Sequence, residues 1–282
     1  TGAFTYTASG PAGTDVFSVR ARAGGEWSAP VEIRALVVAA GNLRGTWSFD
    51  DASGSTAADG SGLGNVATSA GAPSWTAGVF GGAVSLDGAQ DFLTVRDAAA
   101  VDVSSAMSVS AWVRPGQKAT QYVVKKAAQG TVDGFELGLS SAGKAFFRLN
   151  HATSGDAFRV DSTTSYPTDG TWVHLSATDD ATTMNLYVDG LLEASKAGPA
   201  AIAGNDLDLT LGAEPGGFRP MAGALDEVSL LGRALTATEV VALATRPPGP
   251  KGSSAQDPAS SAVGLWTLDE GQGTGVGDSH VN

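Results

Sequence analysis

The chain has 282 residues, 38 of them glycine, no cysteine, 16% charged residues, and a net charge of −12 with a pI near 4.5. Without cysteine there is no disulfide scaffold, thiol catalysis or thiolate-bound zinc. Without clustered Lys and Arg there is no surface for nucleic acid or for an acidic membrane. No apolar run reaches the length of a membrane-spanning helix, so membrane insertion is not expected.

In chain order, residues 1–39 alternate as strands. Phe4 and Tyr6 flank polar residues, Phe17, Val19 and Ala21 do the same, and Val31, Ile33, Ala35 and Val37 follow the turn at Ala23-Gly-Gly-Glu. Three short strands cannot bury a useful core alone. Gly2-Ala-Phe-Thr-Tyr-Thr and Gly13-Thr-Asp-Val-Phe-Ser-Val-Arg-Ala resemble the last strands of bacterial immunoglobulin-like or cadherin-like repeats. A β-hairpin appendage packed on the next domain is the alternative.

From residue 43 to residue 245 the chain is a procession of short strands. Turn residues punctuate it at Asp87-Gly, Pro115-Gly, Asp133-Gly, Asp169-Gly and Asp189-Gly. The spacing predicts an all-β, two-sheet antiparallel sandwich of jelly-roll type. Leu186-Tyr-Val-Asp-Gly-Leu-Leu is its clearest hairpin. Thr236-Ala-Thr-Glu239 is a capping box and predicts one short C-terminal helix. Residues 246–261, rich in Pro, Gly, Ser and Ala, read as a linker.

Residues 262–282 then repeat an earlier stretch. Gly45, Trp47, Asp50, Gly54 and Asp59 return in register as Gly264, Trp266, Asp269, Gly273 and Asp278. A repeat in register marks a second copy of the same module beginning at residue 262. The sandwich is thus expected between partial β modules, within a longer chain. Its strand at residues 263–268 lacks partners of its own module, so it is expected to pair with a neighbouring module or chain.

Trp47-Ser-Phe-Asp-Asp, Phe80-Gly-Gly-Ala-Val-Ser-Leu-Asp-Gly, Val109-Ser-Ala-Trp-Val-Arg-Pro, Thr171-Trp-Val-His-Leu-Ser-Ala-Thr and Gly223-Ala-Leu-Asp-Glu-Val-Ser-Leu-Leu-Gly-Arg-Ala-Leu occur in that order. Together they resemble the laminin-G-like jelly roll of the concanavalin A-like lectin/glucanase superfamily. That fold is shared by lectins, glycanases and adhesins, so it does not choose among them.

Hydrolysis with retention needs two carboxylates close together on one sheet face. Glu136 stands alone among Phe135, Leu137 and Leu139, and the adjacent Asp226 and Glu227 are expected on opposite faces of their strand. His151, His174 and His280 lack the neighbours of a nucleophilic triad. The sequence therefore predicts a non-catalytic module.

The family resemblance implies a structural calcium ion where the first strand meets the last. The matching positions are Asp50 or Asp51 and Asp226, with Asp59 from the following loop. Calcium takes six to eight oxygens, and a glycine-rich loop can bend its carbonyls toward it. The alternative is that Asp50 and Asp59 cap turns through backbone N–H groups. For a glycan, the candidate face carries Phe146, Arg148 and Asn150, with His151 just beyond, while Ala145, Phe147 and Leu149 point to the core. Glu136 and Lys125 on neighbouring strands extend that face; the alternatives are that Phe146 packs under a loop and that Arg148 pairs with Glu136 across strands, and Tyr166, Phe158 and Phe218 are the other candidate exposed aromatics.

The reading that follows is a carbohydrate-binding or adhesion module of a large secreted or cell-surface bacterial protein, with a glycan or surface polysaccharide as partner. A structural spacer in a tandem-repeat stalk, or an accessory domain of a hydrolase encoded elsewhere in the chain, are the alternatives.

Overall fold

A computed structural model describes residues 13–20, 22–23, 26–27, 31–38, 42–51, 53–245 and 264–267. The expected strand around Phe4 and Tyr6, the linker at 246–261 and most of the second copy at 262–282 lie outside the described residues.

Along the chain run β1 (Gly13–Val19), β2 (Arg22–Ala23), β3 (Glu26–Trp27), β4 (Val31–Val38), β5 (Leu43–Trp47), β6 (Thr56–Ala57), β7 (Ala67–Ala70) and β8 (Ser74–Ala77). Next come β9 (Gly82–Asp87), β10 (Phe92–Val95), β11 (Met107–Pro115), β12 (Gln121–Ala128), β13 (Val132–Leu139) and β14 (Lys144–Leu149). The rest are α1 (His151–Ser154), β15 (Arg159–Ser165), β16 (Val173–Asp179), β17 (Thr183–Val188), β18 (Leu191–Ala197), β19 (Leu209–Leu211), β20 (Ala222–Leu231), α2 (Ala237–Ala244) and β21 (Gly264–Thr267).

Two eight-stranded sheets form the sandwich. The front sheet runs β15-β14-β13-β12-β19-β10-β7-β6, and the back sheet runs β18-β17-β16-β11-β20-β9-β8 with β5 also paired to β20. The first strand of the sandwich thus lies beside the last, with Trp47 opposite Val228. Period-two alternation decides what enters the core. Phe135, Leu137 and Leu139 of β13 and Ala145, Phe147 and Leu149 of β14 meet Val109, Ala111 and Val113 of β11 and Val173, Leu175 and Ala177 of β16 in one cluster. Trp47 is fully buried there, and its indole N–H donates to the Asn65 carbonyl at 2.9 Å. Each such side chain contributes roughly 1.5–3 kcal/mol by leaving water.

Local sequence sets the connections. Asp189 and Gly190 both take positive φ, 49° and 80°, which suits a two-residue hairpin turn between Val188 and Leu191. The capping box forms as its spacing dictates: the Glu239 N–H donates to Thr236 Oγ1, and the Glu239 carboxylate accepts from the Thr236 N–H. A second helical turn, α1, begins after Asn150, whose φ of 50° turns the chain out of β14. A separate sheet has β1 antiparallel to β4, and β21 lies parallel to β4, with Gly264 opposite Ala35 and Thr267 opposite Val38.

Candidate functional site

The outward face of the front sheet is built by the strand positions that alternate with the core. It presents Tyr122 and Lys125 of β12, Glu136 of β13, and Phe146 and Arg148 of β14. Glu214, from the loop after β19, joins them, and all six are buried. Lys125 Nζ lies 3.0 Å from Glu136 Oε2 and 3.3 Å from Glu214 Oε2, and 3.7 Å from the centre of the Tyr122 ring. Arg148 grips Glu136 with two bonds, Nε to Oε1 at 2.8 Å and Nη2 to Oε2 at 3.1 Å, and reaches Asp156 Oδ1 at 2.8 Å.

Burial alone would raise the Glu136 carboxyl, but the Arg148 bonds and the Lys125 charge hold it below its ordinary value. Burial also pulls Lys125 down, against Glu136 and Glu214. An ionised carboxylate between two cations is a poor proton donor. The face is a closed charge network, and Glu136 is spent within it.

The four residues expected to meet a glycan divide accordingly. Phe146 is 1% exposed: the Arg159 guanidinium lies 4.3 Å from its ring centre, and Gly138 leaves the space that its edge occupies. The expected open stacking ring is therefore covered. Arg148 takes the cross-strand pair with Glu136, extended to Asp156. Asn150 is a staple, donating to the Ala201 carbonyl and accepting from the Ala203 N–H, both at 2.9 Å. His151 alone stays partly open, at the start of α1.

The four expected calcium ligands also separate. Asp59 accepts from the backbone N–H groups of Thr46, Ser61 and Asn65 and from the Ser61 hydroxyl, which makes it the organiser of the 46–65 loop. Asp51 accepts from the Ala58 N–H. Asp50 and Asp226 instead come to the same turn at residues 78–82. Asp50 Oδ1 accepts from the Gly82 N–H at 2.6 Å, and Asp226 Oδ2 accepts from the N–H groups of Val79 and Phe80. The expectation that Asp226 and Glu227 face opposite ways is corrected by a bulge. The register between β11 and β20 shifts there, Glu227 sits at φ 50°, and both acids fall on the outer face beside Trp112.

Asp226 is fully buried and its Oδ1 has no hydrogen-bond partner. Burial, then the Glu227 and Asp50 charges, push it well above the usual carboxylate range. A buried acid cluster with an orphaned oxygen fits a divalent cation at Asp226 and Asp50; the satisfied oxygens of Asp59 do not. Among the described residues no three His, Asp or Glu side chains are grouped to hold a metal ion, so main-chain carbonyls would have to complete the shell.

Beside this turn the back sheet encloses a cavity of about 10 Å³ lined by Phe80, Ser110, Trp112, His174, Glu227, Ser229 and Leu243. Burial brings His174 down to about 3, so it is a neutral packing residue in edge contact with Trp112 at 5.2 Å.

The expected neighbours Lys125 and Glu136 do meet on this face, whereas Glu214 gave no signal in the sequence as a network member. Glu214 lies in the loop after β19, where strand alternation has no bearing.

The profile of the concanavalin A-like lectin/glucanases superfamily matches residues 87–241. No curated protein sequence matches significantly. Among solved structures, domain 4 of AbnA, a GH43 extracellular arabinanase from Geobacillus stearothermophilus in complex with arabinotriose, is similar with TM-score 0.59 and 23% identity, over 72% of this chain and 98% of that one. The binding domain of Paraclostridial Mosquitocidal Protein 1 has TM-score 0.60 and 17% identity, over 72% of this chain and 52% of that one. The botulinum neurotoxin serotype G binding domain has TM-score 0.57 and 17% identity, over 72% and 50%. The match thus spans about half the length of each toxin domain and nearly all of the arabinanase domain.

Proposed function

This chain belongs to the concanavalin A-like lectin/glucanases superfamily, and on that premise we propose that it is a non-catalytic carbohydrate-binding module, an adhesion or accessory part of a large secreted or surface bacterial protein. The observation that carries the reading is the closed network on the front sheet. Glu136 has its cations on both sides, so that face offers no acid–base pair for cleaving a glycosidic bond. The arabinotriose complex of the similar arabinanase domain supports a neutral glycan as ligand.

A calcium ion held by Asp50 and Asp226 belongs to the same proposal. It would supply positive charge to the buried acids and tie the segment after β5 to β20 and the 78–82 turn. In this reading residues 1–39 close an immunoglobulin-like repeat, residues 43–245 form the module, residues 246–261 link, and residues 262–282 begin a second copy. The β21–β4 pairing supports strand exchange between neighbouring modules, and it also favours a second reading, a stalk spacer.

A panel of soluble polysaccharides, screened against the full chain with calcium and with chelator, separates the two. Saturable binding to a neutral glycan supports the module. No binding to any member, with a melting temperature still raised by calcium, leaves the spacer.

A further inference from the structure

At the end of the front-sheet network lies a short loop, Glu214-Pro-Gly-Gly-Phe-Arg219, that the closed face does not absorb. It is rigid by construction. Glu214 and Phe218 bridge through Glu214 N–H to Phe218 O at 2.9 Å, and the Gly217 N–H returns to Glu214 O at 2.8 Å. Gly216 and Gly217 take φ of 88° and 79°, and a Cβ on Gly216 would stand 3.0 Å from Phe218 Cε2, so the ring lies over bare backbone. A Cβ on Gly217 would stand 2.8 Å from Phe92 Cε1, so the loop is seated on that ring.

Two features of this loop are not explained by packing. Phe218 is 67% exposed, an aromatic kept in water on a fixed support. Arg219 sits at φ 50°, in the left-handed region that a side-chain-bearing residue adopts at a cost. That conformation accompanies a hydrogen-bonded polar array. Arg219 Nη1 bonds Gln129 Oε1 and, at 3.0 Å, Glu214 Oε2, while the Gln129 N–H donates to Glu214 Oε1 at 2.8 Å. Lys125 holds Glu214 from behind. The Arg219 side chain remains 40% exposed, and it directly follows Phe218 in the chain.

We propose that Phe218, Arg219 and Gln129 form a subsite for one ring of a neutral glycan, with the C–H face of the sugar on Phe218 and its hydroxyls on Arg219 and Gln129. This rests on the carbohydrate-binding reading above and gives it a place. The charges of Arg219 and Glu214 cancel within the array, which offers both donors and acceptors, as hydroxyls require. The chain's net charge of −12 repels acidic polysaccharides.

The test uses the full chain in affinity electrophoresis and calorimetry with linear arabinan, galactan and a neutral β-glucan, with polygalacturonate as the acidic comparison. Phe218→Ala and Arg219→Ala are each expected to weaken binding to the preferred neutral glycan tenfold or more, with Phe218→Trp retaining it. Because Phe218 is exposed, its variants should melt as the wild type does. If the wild type binds and both alanine variants bind within twofold of it, the subsite is wrong while the module reading stands. If the wild type binds none of the neutral glycans, both fall. Equal or better binding of polygalacturonate overturns the assignment of a neutral ligand.

Discussion

At the residue scale, two carboxylates with opposite surroundings make the sharpest predictions. Glu136 is buried between Lys125 and Arg148, so removing its charge leaves Lys125 to Glu214 and Arg148 to Asp156 alone. Breaking a buried pair from one side costs on the order of 3 kcal/mol or more. Glu136→Gln should therefore lower the urea midpoint by a corresponding amount and leave glycan affinity unchanged in the folded fraction. Loss of binding at unaltered stability would return the ligand to the front face. Asp226, by contrast, carries an orphaned oxygen among like charges. If calcium neutralises it, saturation at a hundredfold excess over Kd stabilises by about 2.7 kcal/mol, or about 5–10 °C in a domain of this size. Asp226→Asn should abolish the calcium-dependent rise in melting temperature, and Asp59→Asn should keep it. An equal rise in wild type and Asp226→Asn would remove the ion from this turn.

At the scale of elements, Glu193 clasps the two sheets at their β15 and β18 edges. Its carboxylate accepts from the N–H and hydroxyl groups of Thr163 and Thr164. Burial acts to raise Glu193, but those four bonds prevail and bring it down to about 2. A depressed folded-state value means the clasp is fully present above the ordinary glutamate range and is lost as pH falls toward 2. Glu193→Gln should thus lower the melting temperature at pH 7 and lose that difference by pH 2; a difference that persists there would deny the clasp its ionic character. At the other end of the sandwich, Thr236→Ala removes the N-cap of α2 and should cost about 1 kcal/mol in denaturant unfolding.

These elements also mark what the sequence made legible. Strong alternation announced β10, β11, β13, β14, β16, β17 and β20, and Thr236 with Glu239 announced α2, because local chemistry alone decides them. The strands β7, β8 and β15 are written in Ala, Ser and Thr, and they form because a neighbouring strand offers hydrogen bonds. The candidate site was legible only in part. The face of Phe146 and Arg148 followed from period two, but the cover over it, Arg159 above Phe146 and Asp156 on Arg148, comes from residues beyond the next turn. The bulge at Glu227 shows in the sequence only as a break in the alternation, two acids between the core residues Leu225 and Val228.

At the scale of the whole molecule, the sandwich brings its first strand, β5, beside its last, β20, so the acids of both ends share one turn. The front sheet ties the charges of its outward face to one another, and the proposed glycan subsite lies at its rim. Among the described residues no helix is long and apolar enough to cross a membrane. This scaffold is proposed to bind a neutral glycan. The most direct measurement is a calorimetric titration of the full chain with arabino-oligosaccharides and neutral polysaccharide fragments in calcium-containing buffer. Saturable, stoichiometric heat is expected with at least one neutral glycan, with the glycan recovered uncleaved. No heat with any of them would contradict it and leave the spacer; a shortened glycan would contradict its non-catalytic character.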